Sequence, residues 1–259
     1  MEKLEFTGLK SFLDEKTALF NRLGYIDSDP IQVPHQFSMQ EDIEIAAFLT
    51  ATIAWGNRKS IIKNALRLMS LMDNSPFQFI STGLKSDMKV LEKFVHRTFS
   101  GSDAMEFVCA LHFICTEYQS LGGFFKNSWE KHREIKEVLI HFRQEFYKNI
   151  PNKTSGRHLS DVGRGSAAKR LNMFLRWMVR NDRCGVDFGL WGFIPPAGLY
   201  IPLDVHSGRV ARKLGMLCRK QDDWKAVEEL TFVLRELDPA DPVKYDFALF
   251  GLGVFEGFK

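Results

Sequence analysis

Apolar residues recur at intervals of three and four along nearly the whole chain, and that period limits the fold more than any other feature. Leu9, Phe12, Leu13, Leu19 and Phe20 form one such stripe; Ile43, Ile45, Ala46, Leu49 and Ile53 form a second; Ile61, Ile62, Leu66, Leu68 and Leu71 form a third. The same spacing predicts helices at about 103–119, 129–148, 166–180, 205–214, 223–237 and 242–250, the last opened by Asp241 as cap and Pro242 in the first turn. Strand-like alternation never lasts beyond a few residues. The stretch LWGFIPPAGLYIPL, punctuated by Gly and Pro, reads as an extended connector. With no internal repeat, low-complexity tract or long linker, the expected fold is all-α: two helical lobes around a cleft, one at about 41–160 and the other joining about 1–40 to 161–259.

Composition matters to this reading in three ways. The 259 residues are 45% hydrophobic and include 23 Phe and 5 Trp, so a sizeable core packed largely through aromatic contacts is expected. The cysteines Cys109, Cys115, Cys184 and Cys218 lack CxxC spacing, which predicts reduced thiols in a cytoplasm and no disulfide. The opening MEKLEFTGLKSFLDEK lacks the pattern of a signal peptide, and no apolar stretch reaches the roughly 20 residues that span a bilayer, so a cytoplasmic protein with no membrane partner is expected.

The net charge of +3 does not by itself argue for a nucleic-acid partner, but its distribution is uneven. Between Lys148 and Lys220 the chain carries fourteen Lys and Arg against Asp161, Asp182, Asp187 and Asp204. Within this basic half lies HLSDVGRGSAAKRLNMFLRWMVR, His158 to Arg180. Its two glycines, Gly163 and Gly165, flank Arg164 in a turn that can offer backbone N–H groups and a helix N-terminus to a phosphate; a plain Gly-rich turn is the other reading. In the following helix Leu171, Phe174, Leu175 and Met178 share one face, while Lys169, Arg176 and Arg180 lie on another, either for a ligand or as a solvated basic face.

A second stretch, GLYIPLDVHSGRVARKLG, ends an apolar run at Asp204 and starts a helix there. Asp204 is placed as its N-cap, where a carboxylate meets free N–H groups and the positive end of the helix dipole. The same charge suits a reaction in which a sugar becomes cationic as a base departs. Asp204 and His206 have no further ligands at metal spacing, so no metal is expected. In a third stretch, FLTATIAWGNRKSIIKNALRLM, one helix ends at Gly56 and another begins near Lys59. Trp55, Asn57 and Arg58 then project from the loop, either as an ordinary turn or as groups that fill the gap left by an extruded base.

Together these residues resemble the helix-hairpin-helix DNA glycosylase superfamily. LSDVGRGSAA is similar to its hairpin, and IPLDVHSGRVARKLG is similar to the segment that carries its catalytic Asp. ATIAWGNRKSI stands where that superfamily carries a duplex-inserting loop. The chain is also similar over nearly its full length to a bacterial family of unassigned function through KRLNMFLRWMVR, PLDVH and DPVKYDFALFGLG. The usual nucleophile slot after the hairpin holds Gly165, and Lys169 stands one helical turn later. The archaeal-type 8-oxoguanine glycosylase, whose Lys opens a helix with a second basic residue seven positions on, is the nearer template for Lys169 and Arg176.

The resemblance implies a DNA repair glycosylase with AP lyase activity, acting as a monomer on double-stranded DNA with a damaged base, an oxidised purine by analogy. Such an enzyme is cytoplasmic and nucleoid-associated when bound. Lys169 and Asp204 would be catalytic, with the amine activated by Arg170, Arg176 and burial. Asn57, Arg58, Gly163, Arg164, Gly165, Arg170, Arg176 and Arg209 would contact DNA, and Trp55, Phe174, Trp177 and His206 would line the base pocket. No four-Cys cluster motif is present, so no iron–sulfur cluster or other cofactor is expected. A catalytically silent module that binds damaged or bent duplex is the alternative the same residues allow.

Overall fold

The computed structural model describes residues 3–82, 87–150 and 153–258. Among these the chain is predominantly helical: α1 (Lys3–Phe20), α2 (Gln40–Thr52), α3 (Arg58–Leu71), α4 (Pro76–Thr82), α5 (Gly101–Tyr118), α6 (Leu121–His132), α7 (Ile135–Phe146), α8 (Lys169–Val179), α9 (Val205–Lys213), α10 (Trp224–Leu237) and α11 (Tyr245–Val254). A two-residue antiparallel hairpin, β1 (Val95–His96) and β2 (Phe99–Ser100), is the sheet structure among them. No helix among the described residues is long and apolar enough to cross a membrane. The chain divides into two compact units, Ile26–Asp161 (unit 2) and Met1–Tyr25 with Val162–Lys259 (unit 1).

Unit 2 is built on phenylalanine. Phe48 of α2 meets Phe142 of α7 edge to face at 5.5 Å, and Phe107 of α5 meets Phe146 at 4.8 Å, so rings from three helices share one buried cluster. The helix expected over 129–148 is two helices. Arg133 adopts a left-handed conformation (φ 53) that ends α6, and the Glu134 carboxylate accepts the Lys136 N–H to start α7. Because the apolar period runs on through the break, one left-handed residue is enough to hide it from a pattern search.

Unit 1 is centred on α8. Leu171 to Val179 are all buried, so this helix lies inside the unit and has no solvated basic face. Helix α11 packs against both α1 and α9. At Gly251 a Cβ would fall 2.1 Å from the Phe20 ring, which only hydrogen accommodates. The helix expected to open at Pro242 begins at Tyr245 after a 3-10 turn (Pro242–Lys244), and Asp241 makes no capping bond because its carboxylate receives Arg180.

Candidate functional site

Helix α8 opens at Lys169, three residues later than the sequence period suggests. The preceding residues are committed elsewhere: the Trp224 N–H donates to Gly165 O at 2.9 Å, Ser166 forms a bridge with Asp223, and Ala168 sits in the left-handed region (φ 47). A non-glycine residue there costs about 1–3 kcal/mol and persists only where its surroundings enforce it. The consequence is positional. Lys169 emerges at the single turn of α8 that is not fully buried.

Asp204 is the N-cap of α9. Its Oδ1 accepts the N–H groups of His206 (2.9 Å) and Ser207 (3.0 Å), while the Ser207 hydroxyl accepts the Asp204 N–H in return at 2.9 Å. The second oxygen, Oδ2, lies 3.9 Å from Lys169 Nζ, with the two side chains 22% and 27% exposed. One carboxylate thus does two things: Oδ1 holds the helix and Oδ2 faces the amine. Lys169 Nζ also approaches Met173 Sδ at 3.4 Å. A second, buried carboxylate interacts with both side chains. Burial pushes Asp246 up to about 6, against the pull of Arg176 and Lys169 and with a push from Asp204.

Arg176 is not a DNA contact. It is 2% exposed, and its guanidinium donates to Asp187 (3.3 Å) and Asp246 (2.5 Å) while lying 4.3 Å from the Phe247 ring centroid. Arg180 continues the layer, bonding Asp182, Asp187 and Asp241. This arrangement replaces the basic face expected from sequence, because the carboxylates that neutralise it come from segments outside α8. It also commits Arg176 to Asp187 and Asp246, and the carboxylate that faces the Lys169 amine is Asp204. Phe174 and Trp177 are fully buried, Phe174 edge-on to Trp191 at 5.3 Å, and neither ring is open to a base.

The other expected residues fall as follows. Gly163 and Arg164 are exposed in a 3-10 turn, and Gly165 (φ 87) spends its N–H on Val162 O at 2.9 Å, so that amide does not face a phosphate. Arg170 is partly buried; Arg209 and His206 are exposed. Trp55, Asn57 and Arg58 belong to unit 2. Asn57 is an N-cap there, its Oδ1 accepting the Ser60 N–H at 3.2 Å, and Arg58 is the first residue of α3. Trp55 is half-buried against His158 (5.6 Å, stacked) and His96 (5.2 Å, edge-on).

The structure gives several residues roles that no motif assigns. Asp246 lies in DPVKYDFALFGLG, where an apolar helix gives no sign that one carboxylate turns inward to Arg176. Asp187, Asp241, His96 and His158 carry equally little local signal, since each acts on a residue distant in the chain. No curated protein and no solved structure matches this chain. A family profile described as "Protein of unknown function (DUF2400)" matches residues 29–255, and the chain belongs to that family.

Proposed function

We propose that this protein is a DNA glycosylase with AP lyase activity that excises a damaged base, an oxidised purine by analogy, from double-stranded DNA. The observation that carries the reading is the approach of Lys169 Nζ to Asp204 Oδ2, two groups separated by 35 residues in the chain yet 3.9 Å apart at the partly open end of an otherwise buried helix. The strained Ala168 immediately before Lys169 supports it, because backbone strain concentrates where a structure holds a group for chemistry.

In the reaction the Lys169 amine attacks C1′ of the deoxyribose as the N-glycosidic bond breaks, and the base leaves with the bonding electrons and gains a proton. Asp204 Oδ2 stabilises the positive charge that develops on the sugar. Ring opening gives an imine between Lys169 and C1′, and loss of a C2′ proton then expels the 3′ phosphate by β-elimination. Asp246, buried in its ion pair with Arg176, acts on the pair through its charge. The exposed Arg164 and Arg209 meet phosphates of the DNA, and the Trp55–Arg58 loop fills the stack vacated by the base. The protein acts as a monomer, cytoplasmic and nucleoid-associated when bound.

The test is borohydride trapping on duplexes carrying single 8-oxoguanine, uracil, thymine glycol or abasic sites, with Lys169→Gln beside the wild type. A covalent adduct that disappears in Lys169→Gln is expected. An adduct retained in that variant refutes Lys169 as nucleophile, and binding with neither adduct nor base release leaves a silent binding module.

A further inference from the structure

We infer that unit 2 carries a nucleic-acid site of its own, in which the Trp55 indole stacks an unpaired base and the guanidiniums of Arg97 and Arg157 hold the flanking phosphates. The inference takes its nucleic-acid partner from the function proposed above, and it concerns residues in which sequence gives no joint signal. Three segments build the site. The Trp55–Arg58 loop supplies the ring; the β1–β2 turn supplies Arg97; and the segment after the 3-10 turn Thr154–Arg157 supplies His158.

Two contacts fix their geometry. Gly56 (φ 100) has the Arg97 guanidinium packed on its backbone, so closely that a Cβ would lie 2.6 Å from Arg97 Nη1. The His158 ring stacks on Trp55, and Arg157 Nε donates to His158 Nε2 at 3.0 Å. Arg157 also donates to Thr98 O at 3.2 Å, which ties it to the same turn that carries Arg97. Beneath lies Asp103, 1% exposed; burial opposes its charge, but the Ser100 bonds, His158 and Arg157 hold its carboxyl below the ordinary value. It braces His158 (3.4 Å) and reaches Arg157 at only 3.5 Å. His96 completes the frame, its ring taking Asn64 on one nitrogen (3.0 Å) and Trp55 O on the other (3.3 Å).

The chemistry of a ligand follows from what this frame leaves outward. Arg97 is exposed, Arg157 is 62% exposed, and Trp55 is half-buried on the loop whose Gly56 Arg97 packs against. Guanidiniums suit phosphate through planar forks, and an indole suits any base through its face. A half-buried indole with one exposed arginine on its own loop's glycine and another on the histidine stacked against it matches one base and its neighbouring phosphates. The bracing by two histidines and a buried carboxylate holds the ring in place before a ligand arrives, which lowers the ordering cost of binding.

The experiment is fluorescence anisotropy of the full-length protein with a labelled 12-nucleotide oligothymidylate and an undamaged duplex, across a salt series. Arg97→Gln/Arg157→Gln is expected to lower the slope of log Kd against log salt for the single strand by about 1.4, two phosphate contacts at about 0.7 each. Trp55→Leu is expected to weaken the oligothymidylate roughly 5- to 100-fold with the slope unchanged. An unchanged slope in the double variant, with its melting temperature equal to wild type, overturns the proposal even if Trp55→Leu fails to fold. So does equal competition by a polyglutamate peptide, which would mark a surface for acidic proteins. The trapping assay at saturating DNA reads Lys169 separately. Absent trapping with the slope change present refutes only the catalytic reading, whereas trapping with no slope change refutes only this site.

Discussion

Asp204 offers the cleanest separation of structure from chemistry, because its two oxygens have different partners. Asparagine at this position keeps an Oδ1 that accepts the His206 and Ser207 N–H groups, and Asn caps helices about as well as Asp. What Asp204→Asn removes is the negative charge 3.9 Å from Lys169. Two unit charges at that distance interact by about 4 kcal/mol at an effective dielectric of 20, but a pair exposed to this degree is worth about 0–1 kcal/mol after screening and side-chain ordering. The expected loss of stability in Asp204→Asn is therefore below about 1 kcal/mol. Asp204→Ala loses the cap as well, about 1 kcal/mol more. For the reaction the ordering differs. Removing one preorganised charge partner of a transition state costs about 10²–10³ in rate, and both variants lose it. Urea denaturation gives the stabilities and single-turnover trapping on the substrate duplex gives the rates. Asp204→Asn that traps within threefold of wild type would show Asp204 to be a cap and nothing more, and Asp204→Asn as unstable as Asp204→Ala would refute the division of labour between the oxygens.

Two further outcomes follow from the buried charges of unit 1. Asp246 is raised from 3.8 to about 6 in the folded protein, so the stability it contributes is fully present below about pH 4 and is lost as pH rises through 6; two units correspond to about 3 kcal/mol. Relative to Asp246→Asn, the wild type should thus lose about that much stability between pH 4 and 7 in urea titrations, and parallel pH profiles would refute the assignment. Asp187 is fully buried between Arg176 and Arg180, and Asp187→Ala leaves both guanidiniums short of a partner. It should cost about 3–5 kcal/mol by urea denaturation, and a loss under 1 kcal/mol would show that the network repacks around water.

What the sequence makes legible here is local. The start of α9 can be read from PLDVHSGRVARKLG because a cap and its helix adjoin, whereas the caps of α3 and α5, Asn57 and Ser100, carry no such reading. The α6–α7 break is illegible because Arg133 leaves the period intact on both sides. The inversion of α8 has a different cause. Its basic stripe is real, but whether such a stripe faces water or a layer of acids depends on Asp187, Asp241 and Asp246, and no local pattern in α8 announces where those will be. The same holds for Trp55, a loop aromatic by sequence and a braced ring in the fold, since His96 and His158 lie 41 and 103 positions away.

The arginine layer also bears on how Lys169 is presented. Asp246 on α11 and Asp187 both grip Arg176, about two turns along α8 from Lys169, so the axis of α8 is anchored deep in the unit. At the other end, Asp223 and Trp224, which begin α10, hold Ser166 and Gly165 by backbone contacts and so enforce the left-handed turn at Ala168. Between these two anchors the first turn of α8 has no freedom to slide, and the α9 cap places Asp204 against it. A lysine needed only for solubility requires neither anchor, and relaxing Ala168 into the helical region would recover about 1–3 kcal/mol. That this strained turn stands directly before the Lys169–Asp204 pair is the physical reason to look there for chemistry.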